Sequence, residues 1–150
     1  MQKITREQLI AKAAELFENG TVSCALGWVK GEFDYDVAPT LFKSIDELKD
    51  GFVWGNFCGA NFAKYLISKT QGIDGKLLVF LKPCDAYSFN QLLSEHRFDR
   101  EKVYAVGIPC EGMVDIAKIK SVTGEGICKI ECDGDKIKVT TLYEDEPISI

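Results

Sequence analysis

Histidine is nearly missing from this chain: there is one, His96, in 150 residues. A histidine-rich metal centre therefore has no partners to draw on, and no serine nucleophile arrangement is visible. No Gly-x-Gly-x-x-Gly run and no Walker loop occurs, so the usual phosphate-cradling motifs are absent. Cysteines number six, yet none are spaced as Cys-x-x-Cys, the pattern of compact clusters and thioredoxin-type sites. The longest apolar run, Leu77 to Leu81, is strand-sized and far short of a bilayer span. Met1 to Leu9 is polar and charged, without an apolar core or small-residue cleavage site, unlike a signal peptide. The net charge of -5, with no clustered Lys and Arg, argues against a nucleic-acid surface. The expected setting is the cytoplasm, with neither nucleic acid nor membrane insertion. There, six cysteines read as thiols, metal ligands or redox groups rather than a disulfide framework.

What is present reads as one α/β domain, a core over about residues 5–120 and a hairpin tail over about 123–150. Hydrophobic residues at 46% and charged residues at 27% are ordinary for a globular protein. Thr5-Arg6-Glu7-Gln8 is a capping box, and Leu9, Ile10, Ala13, Leu16 and Phe17 recur at helical spacing. Asn19-Gly20 supplies the stop, so the spacing predicts a helix from Arg6 to Glu18. Val22 to Val29 is a buried strand. Lys30 to Thr40, with Gly31 and Pro39, reads as a loop before a short strand at Leu41-Phe42. Ser44-Ile45-Asp46-Glu47 caps a short helix ending near Gly51, and Gly59 to Ser68 is helical again.

The centre carries the clearest rhythm. Lys76 to Leu81 and Val103 to Ile108 are continuous apolar runs, as strands covered on both faces require. Pro83 and Pro109 end them. Asp85 is placed to cap a helix bearing Phe89, Leu92 and Leu93, and Met113 to Ile119 forms a second short helix. Strand and helix alternating in this way predict a parallel pair with a right-handed crossover, hence a mainly parallel sheet with flanking helices. Ile127 to Glu131 and Lys136 to Leu142, around Asp133-Gly134-Asp135, predict a C-terminal β-hairpin, and Glu144 to Ile150 an exit strand or linker. The absence of a terminal helix hints at a longer native protein.

Three cysteines share one context. Cys58 precedes a helix, whereas Cys84 and Cys110 each follow a strand, directly after a proline. In an open parallel sheet the strand carboxyl ends form the edge where ligands bind. A thiol at a helix start is favoured as thiolate, the form that ligates iron or zinc or attacks a disulfide. The same N–H groups suit a phosphate of a flavin. The plain alternative is that each cysteine merely packs, since free Cys is among the most buried residue types. Cys24, inside a strand, and Cys128 and Cys132, in the tail hairpin, are read as packing. Glycines 55, 59, 107 and 112 flank the cysteine loops and allow close backbone approach. Lys82 is positioned to face an anion on the same edge, Asp85 reads first as a helix cap, and His96 as a helix-end group.

Lys82-Pro83-Cys84-Asp85 with its helix, the run Val106 to Asp115, and Asn56-Phe57-Cys58 with Asn61 and Tyr65-Leu66 together resemble a known group. This is the amino-terminal domain of iron–sulfur electron-transfer proteins related to the beta subunit of coenzyme F-420-reducing hydrogenase and of the matching formate dehydrogenase. The likeness spans roughly Thr21 to Lys120. It implies a part that passes electrons among iron–sulfur clusters, a flavin (FAD) and partner subunits or domains of an anaerobic redox complex. Members often carry a ferredoxin-type cysteine segment; here nothing after Cys132 supplies ligands.

The resulting expectation places Cys58, Cys84 and Cys110 together at one edge, ligating an iron–sulfur cluster or lining a flavin site, with Lys82, Asp85 and Gly112 beside them. No fourth cluster ligand is evident. The alternative is a cofactor-free binding or assembly module of a larger oxidoreductase complex, docking through its tail. A lesser option is a thiol enzyme using Cys84 or Cys110, for which no paired base is visible.

Overall fold

The computed structural model describes residues 3–150. Helix α1 (Arg6–Glu18) starts from the Thr5 capping box: Gln8 N–H donates to Thr5 Oγ1 at 3.2 Å and Thr5 N–H to Gln8 Oε1 at 2.9 Å. It buries Leu9, Ile10, Ala13 and Leu16, and ends where Gly20 takes φ of 73°. The other elements are β1 (Cys24–Lys30), β2 (Val37–Phe42), α2 (Ile45–Gly51), β3 (Phe52–Val53), α3 (Ala63–Lys69), β4 (Leu77–Leu81), α4 (Pro83–Ser94), β5 (Val103–Gly107) and α5 (Ile116–Thr123). The tail adds β6 (Ile127–Asp133), β7 (Lys136–Thr141) and β8 (Ile148–Ser149).

One sheet runs β2-β1-β4-β5, with β1, β4 and β5 mutually parallel. Strand β2 pairs β1 antiparallel along its length. The short β3 also pairs β1 antiparallel, through Trp28 and Val29, just beyond the three β1 residues that pair β4. So β3 takes over beside β1 where β4 leaves it, and the chain after β3 is delivered to the strand carboxyl edge. The chain is therefore α/β, with a mainly parallel sheet, flanking helices and a separate antiparallel sheet β6-β7-β8 at the tail.

All five residues of β4 are buried, which is what its unbroken apolar sequence demands. The core around it contains Trp28, Phe52, Phe62 and Phe80, each almost wholly excluded from solvent. Such side chains contribute roughly 1.5–3 kcal/mol apiece on burial. Gly27 has no substitute in this packing: a Cβ there would come within 2.6 Å of the Phe52 ring. A second, smaller cluster of Ile119, Ile127, Ile130 and Val139 sits under the tail sheet.

Several boundaries differ from the sequence expectation. The stretch read as loop up to Thr40 is already strand from Val37, and Pro39 is tolerated because β2 is an edge strand. Strand β1 begins at Cys24 rather than Val22. Helix α3 begins at Ala63 rather than Gly59, because residues 60–62 are held by side chains from elsewhere: Asp85 Oδ1 accepts from Phe62 N–H and Lys82 Nζ donates to Ala60 O. Helix α5 begins at Ile116 rather than Met113. Gly112 has φ of 130° and Val114 N–H donates to Asn56 O at 2.9 Å, which keeps this segment out of the helix until Asp115 caps it.

Candidate functional site

The carboxyl edge is built by three loops. Strand β4 passes through Lys82 directly into α4, with Pro83 at the first helical position, where its missing N–H is harmless. Asp85 lies two residues inside the helix rather than capping it from outside, and its Oδ2 accepts from Lys82 N–H at 2.9 Å. Strand β5 passes through Ile108 and Pro109 into the 110–114 segment. The third loop, 54–62, descends from β3.

Lys82 and Asp85 form an ion pair at 3.0 Å, with side chains 1% and 0% exposed. The ammonium also donates to Ala60 O at 3.0 Å and lies 4.9 Å from the Trp28 ring centroid and 5.4 Å from that of Phe62. Those two rings stack at 4.1 Å. Lys82 therefore does not present its charge to solvent; it is enclosed and paired, beside the stacked Trp28 and Phe62 rings. Asp85 is occupied on both oxygens, by Lys82 and by Phe62 N–H.

The three cysteines divide. Cys84 is exposed and Cys110 half-buried, and both line one cleft of about 450 Å³ together with Gly59, Lys82, Pro83, Glu111, Gly112 and Met113. A second cleft of about 280 Å³ lies on the other side of the 110–113 segment, against Trp54, Asn56 and the start of α1. Cys58 is buried behind this wall at 1% exposure, with its thiol directed at Val53 O at 3.8 Å. Burial pushes its pKa up to about 11; the Gly55 backbone and the Lys82 charge oppose that shift, and nearby Cys110 adds to it. Cys84 and Cys110 thus meet in one cavity, and Cys58 is adjacent but sealed and protonated. Among the described residues, no three Cys, His, Asp or Glu side chains are grouped to hold a metal ion.

Elsewhere, Cys24 is core packing, its thiol also raised by burial. His96 is the left-handed residue of the α4 end, with φ of 55°: its N–H donates to Leu93 O and Arg97 N–H to Leu92 O. The aromatic cage of Trp28 and Phe62 was not legible, because neither residue carries a motif and only the fold brings them over Lys82.

The architecture defines a class first: an α/β domain with a thiol-lined cleft at the carboxyl edge of its parallel strands. The same fold, with a TM-score of 0.67, occurs in the F420-reducing NiFe hydrogenase complex from Methanosarcina barkeri, at 15% sequence identity over 95% of this chain. In sequence the chain is related to F420-dependent formate dehydrogenase subunit beta of Methanocaldococcus jannaschii, 31% identical over 99 residues, or 66% of the chain. It spans 26% of that relative's length and 52% of the solved hydrogenase-complex chain. No family model matches it. No helix among the described residues is long and apolar enough to cross a membrane.

Proposed function

We propose that this chain acts as an α/β electron-transfer domain within a cytoplasmic redox complex, and that the cleft lined by Cys84 and Cys110 receives the redox group. The observation that carries this reading is the pairing of those two thiols in one cavity at the strand carboxyl edge, in a chain related to a redox subunit. A cleft of about 450 Å³ is within the usual range for small-molecule sites.

Of the two redox groups the sequence points to, a flavin fits these residues better than an iron–sulfur cluster. A cluster held by Cys58, Cys84 and Cys110 together needs three convergent sulfurs; Cys58 is buried with its thiol directed at Val53 O, and among the described residues no three such side chains are grouped to hold a metal ion. A planar ring needs open room beside small residues. Gly112 has nothing within 4 Å of where a Cβ would stand, and Gly59 meets only Met113 at 3.9 Å. Cys84, Cys110, Gly112 and Met113 would hold the group; when bound, a flavin supplies one- and two-electron exchange. The chain's own contribution is a fixed charge pair, Lys82 and Asp85, under the cleft floor, and a rigid wall tied to Asn56 through Val114.

Titration of the purified chain with FAD, followed by quenching of flavin fluorescence, tests this. Saturable binding is expected, and Cys84→Trp, which fills the cleft from an exposed position, should weaken it at least about tenfold. If neither FAD binding nor an iron–sulfur absorption after anaerobic reconstitution is seen, the redox reading fails. The cofactor-free docking module would then be the better account.

A further inference from the structure

Strands β4 and β5 are parallel and in register, with Leu81 opposite Gly107, and Ile108 N–H donates to Leu81 O at 2.9 Å. Counted from that pair, Cys84 and Cys110 are each the third residue onward, and each follows a proline. Both residues lie beyond that last strand pair, Cys84 in the first turn of α4 and Cys110 in the loop after β5, and a disulfide between them requires Cα atoms about 4.4–6.8 Å apart. Both residues line the same cleft, and neither is buried. Of the other sulfurs, Cys58 lies near Cys110 but is buried, Cys24 is buried in the core, and Cys128 and Cys132 are on β6 of the other sheet.

We infer that Cys84 and Cys110 form a reversible disulfide across the mouth of the cleft. The oxidant is a small aliphatic disulfide of the glutathione type. Cys84, the more exposed thiol, attacks it as thiolate and releases one small thiol, leaving a mixed disulfide. Cys110 then attacks the Cys84 sulfur and releases the second small thiol. In balance, two protein thiols become one S–S bond, and the small disulfide is reduced to two thiols. The bond ties the first turn of α4 to the 110–113 wall and closes the cleft to a ligand. Formation of the bond does not depend on the redox-group reading; only its effect on ligand binding does.

The test is oxidation of the whole chain with oxidised glutathione, acid quenching, and mass spectrometry after trypsin. Tryptic cleavage leaves Cys84 in the peptide 77–97 and Cys110 in 103–118, each with that single cysteine. A linked pair of these peptides, reversed by a dithiol reductant, is expected, with Cys132 carrying only a glutathione adduct. As a second measure, phenylarsine oxide, which bridges two adjacent thiols, should bind the reduced protein at least about tenfold more tightly than it binds Cys84→Ser or Cys110→Ser. Separate glutathione adducts on Cys84 and Cys110 without a linked peptide, or arsenical binding unchanged by either substitution, would overturn the inference. Loss of FAD binding in the unoxidised protein would bear on the redox reading and leave the disulfide result standing.

Discussion

Cys58 and Cys84 carry the same thiol at the same edge of the sheet, in opposite surroundings. Cys84 meets solvent at the start of a helix, whereas Cys58 is enclosed, and desolvation raises its pKa from 9.0 to about 11. In the unfolded chain the thiol ionises near 9, so between that value and about 11 the unfolded state holds fewer protons than the folded one. Cys58 therefore contributes stability that is fully present below about pH 9 and lost as pH rises through about 11, amounting to about 2–3 kcal/mol. Urea unfolding of the wild type and Cys58→Ala should show a gap in midpoint that narrows across this window. Parallel curves would mean that the thiol is not desolvated. Sequence alone grouped Cys58 with the other two because all three adjoin helix starts. Nothing local records that the loop after β3 folds inward.

At the scale of elements, the junction of β4 with α4 is the best-determined part of the site. Its helix was legible from Phe89, Leu92 and Leu93, and its strand from the unbroken run Leu77 to Leu81. The role of Lys82 was not legible, since a lysine after a strand ordinarily points to solvent. Here Asp85 reaches back from inside the helix, and Trp28 and Phe62 close over the ammonium. Lys82→Met would leave the Asp85 carboxylate buried without its counter-charge, a change that costs about 3–5 kcal/mol. Lys82→Met combined with Asp85→Asn removes the stranded charge and should recover part of that loss, though Asn cannot accept from both Lys82 N–H and Phe62 N–H. Chemical unfolding of the single and double variants measures this. A single variant as stable as wild type would show that the pair does not anchor the junction. Strand β2, read as only Leu41-Phe42, has a similar lesson: Pro39 reads as loop, and only its place on an edge makes it compatible with a ladder.

On the scale of the whole molecule, the chain contains two cores of unequal size. The larger surrounds β4, and the smaller rests on four fully buried residues under β6 and β7. What joins them is limited. Tyr35, from the loop between β1 and β2, donates its hydroxyl to Ile127 O at 2.6 Å, and Phe57 and Val114, from the loops that lead to the cleft, pack into the smaller cluster. The smaller core rests on few buried apolar side chains, so it should open without the rest of the molecule. Native-state hydrogen exchange should then find the amides of Ile130 and Val139 exchanging through an opening at least about 1–2 kcal/mol easier than that of Val79 and Phe80. Tyr35→Phe, which removes one hydrogen bond across the boundary, should widen the gap by about 1 kcal/mol. Val114 directly follows the cleft residues 110–113 and packs into the smaller core, so this opening would also loosen Cys110 and leave Cys84 on its helix. A single opening free energy for both sheets, unaffected by the Tyr35 substitution, would instead make the tail an integral layer of the main fold, and the cleft wall as rigid as its floor.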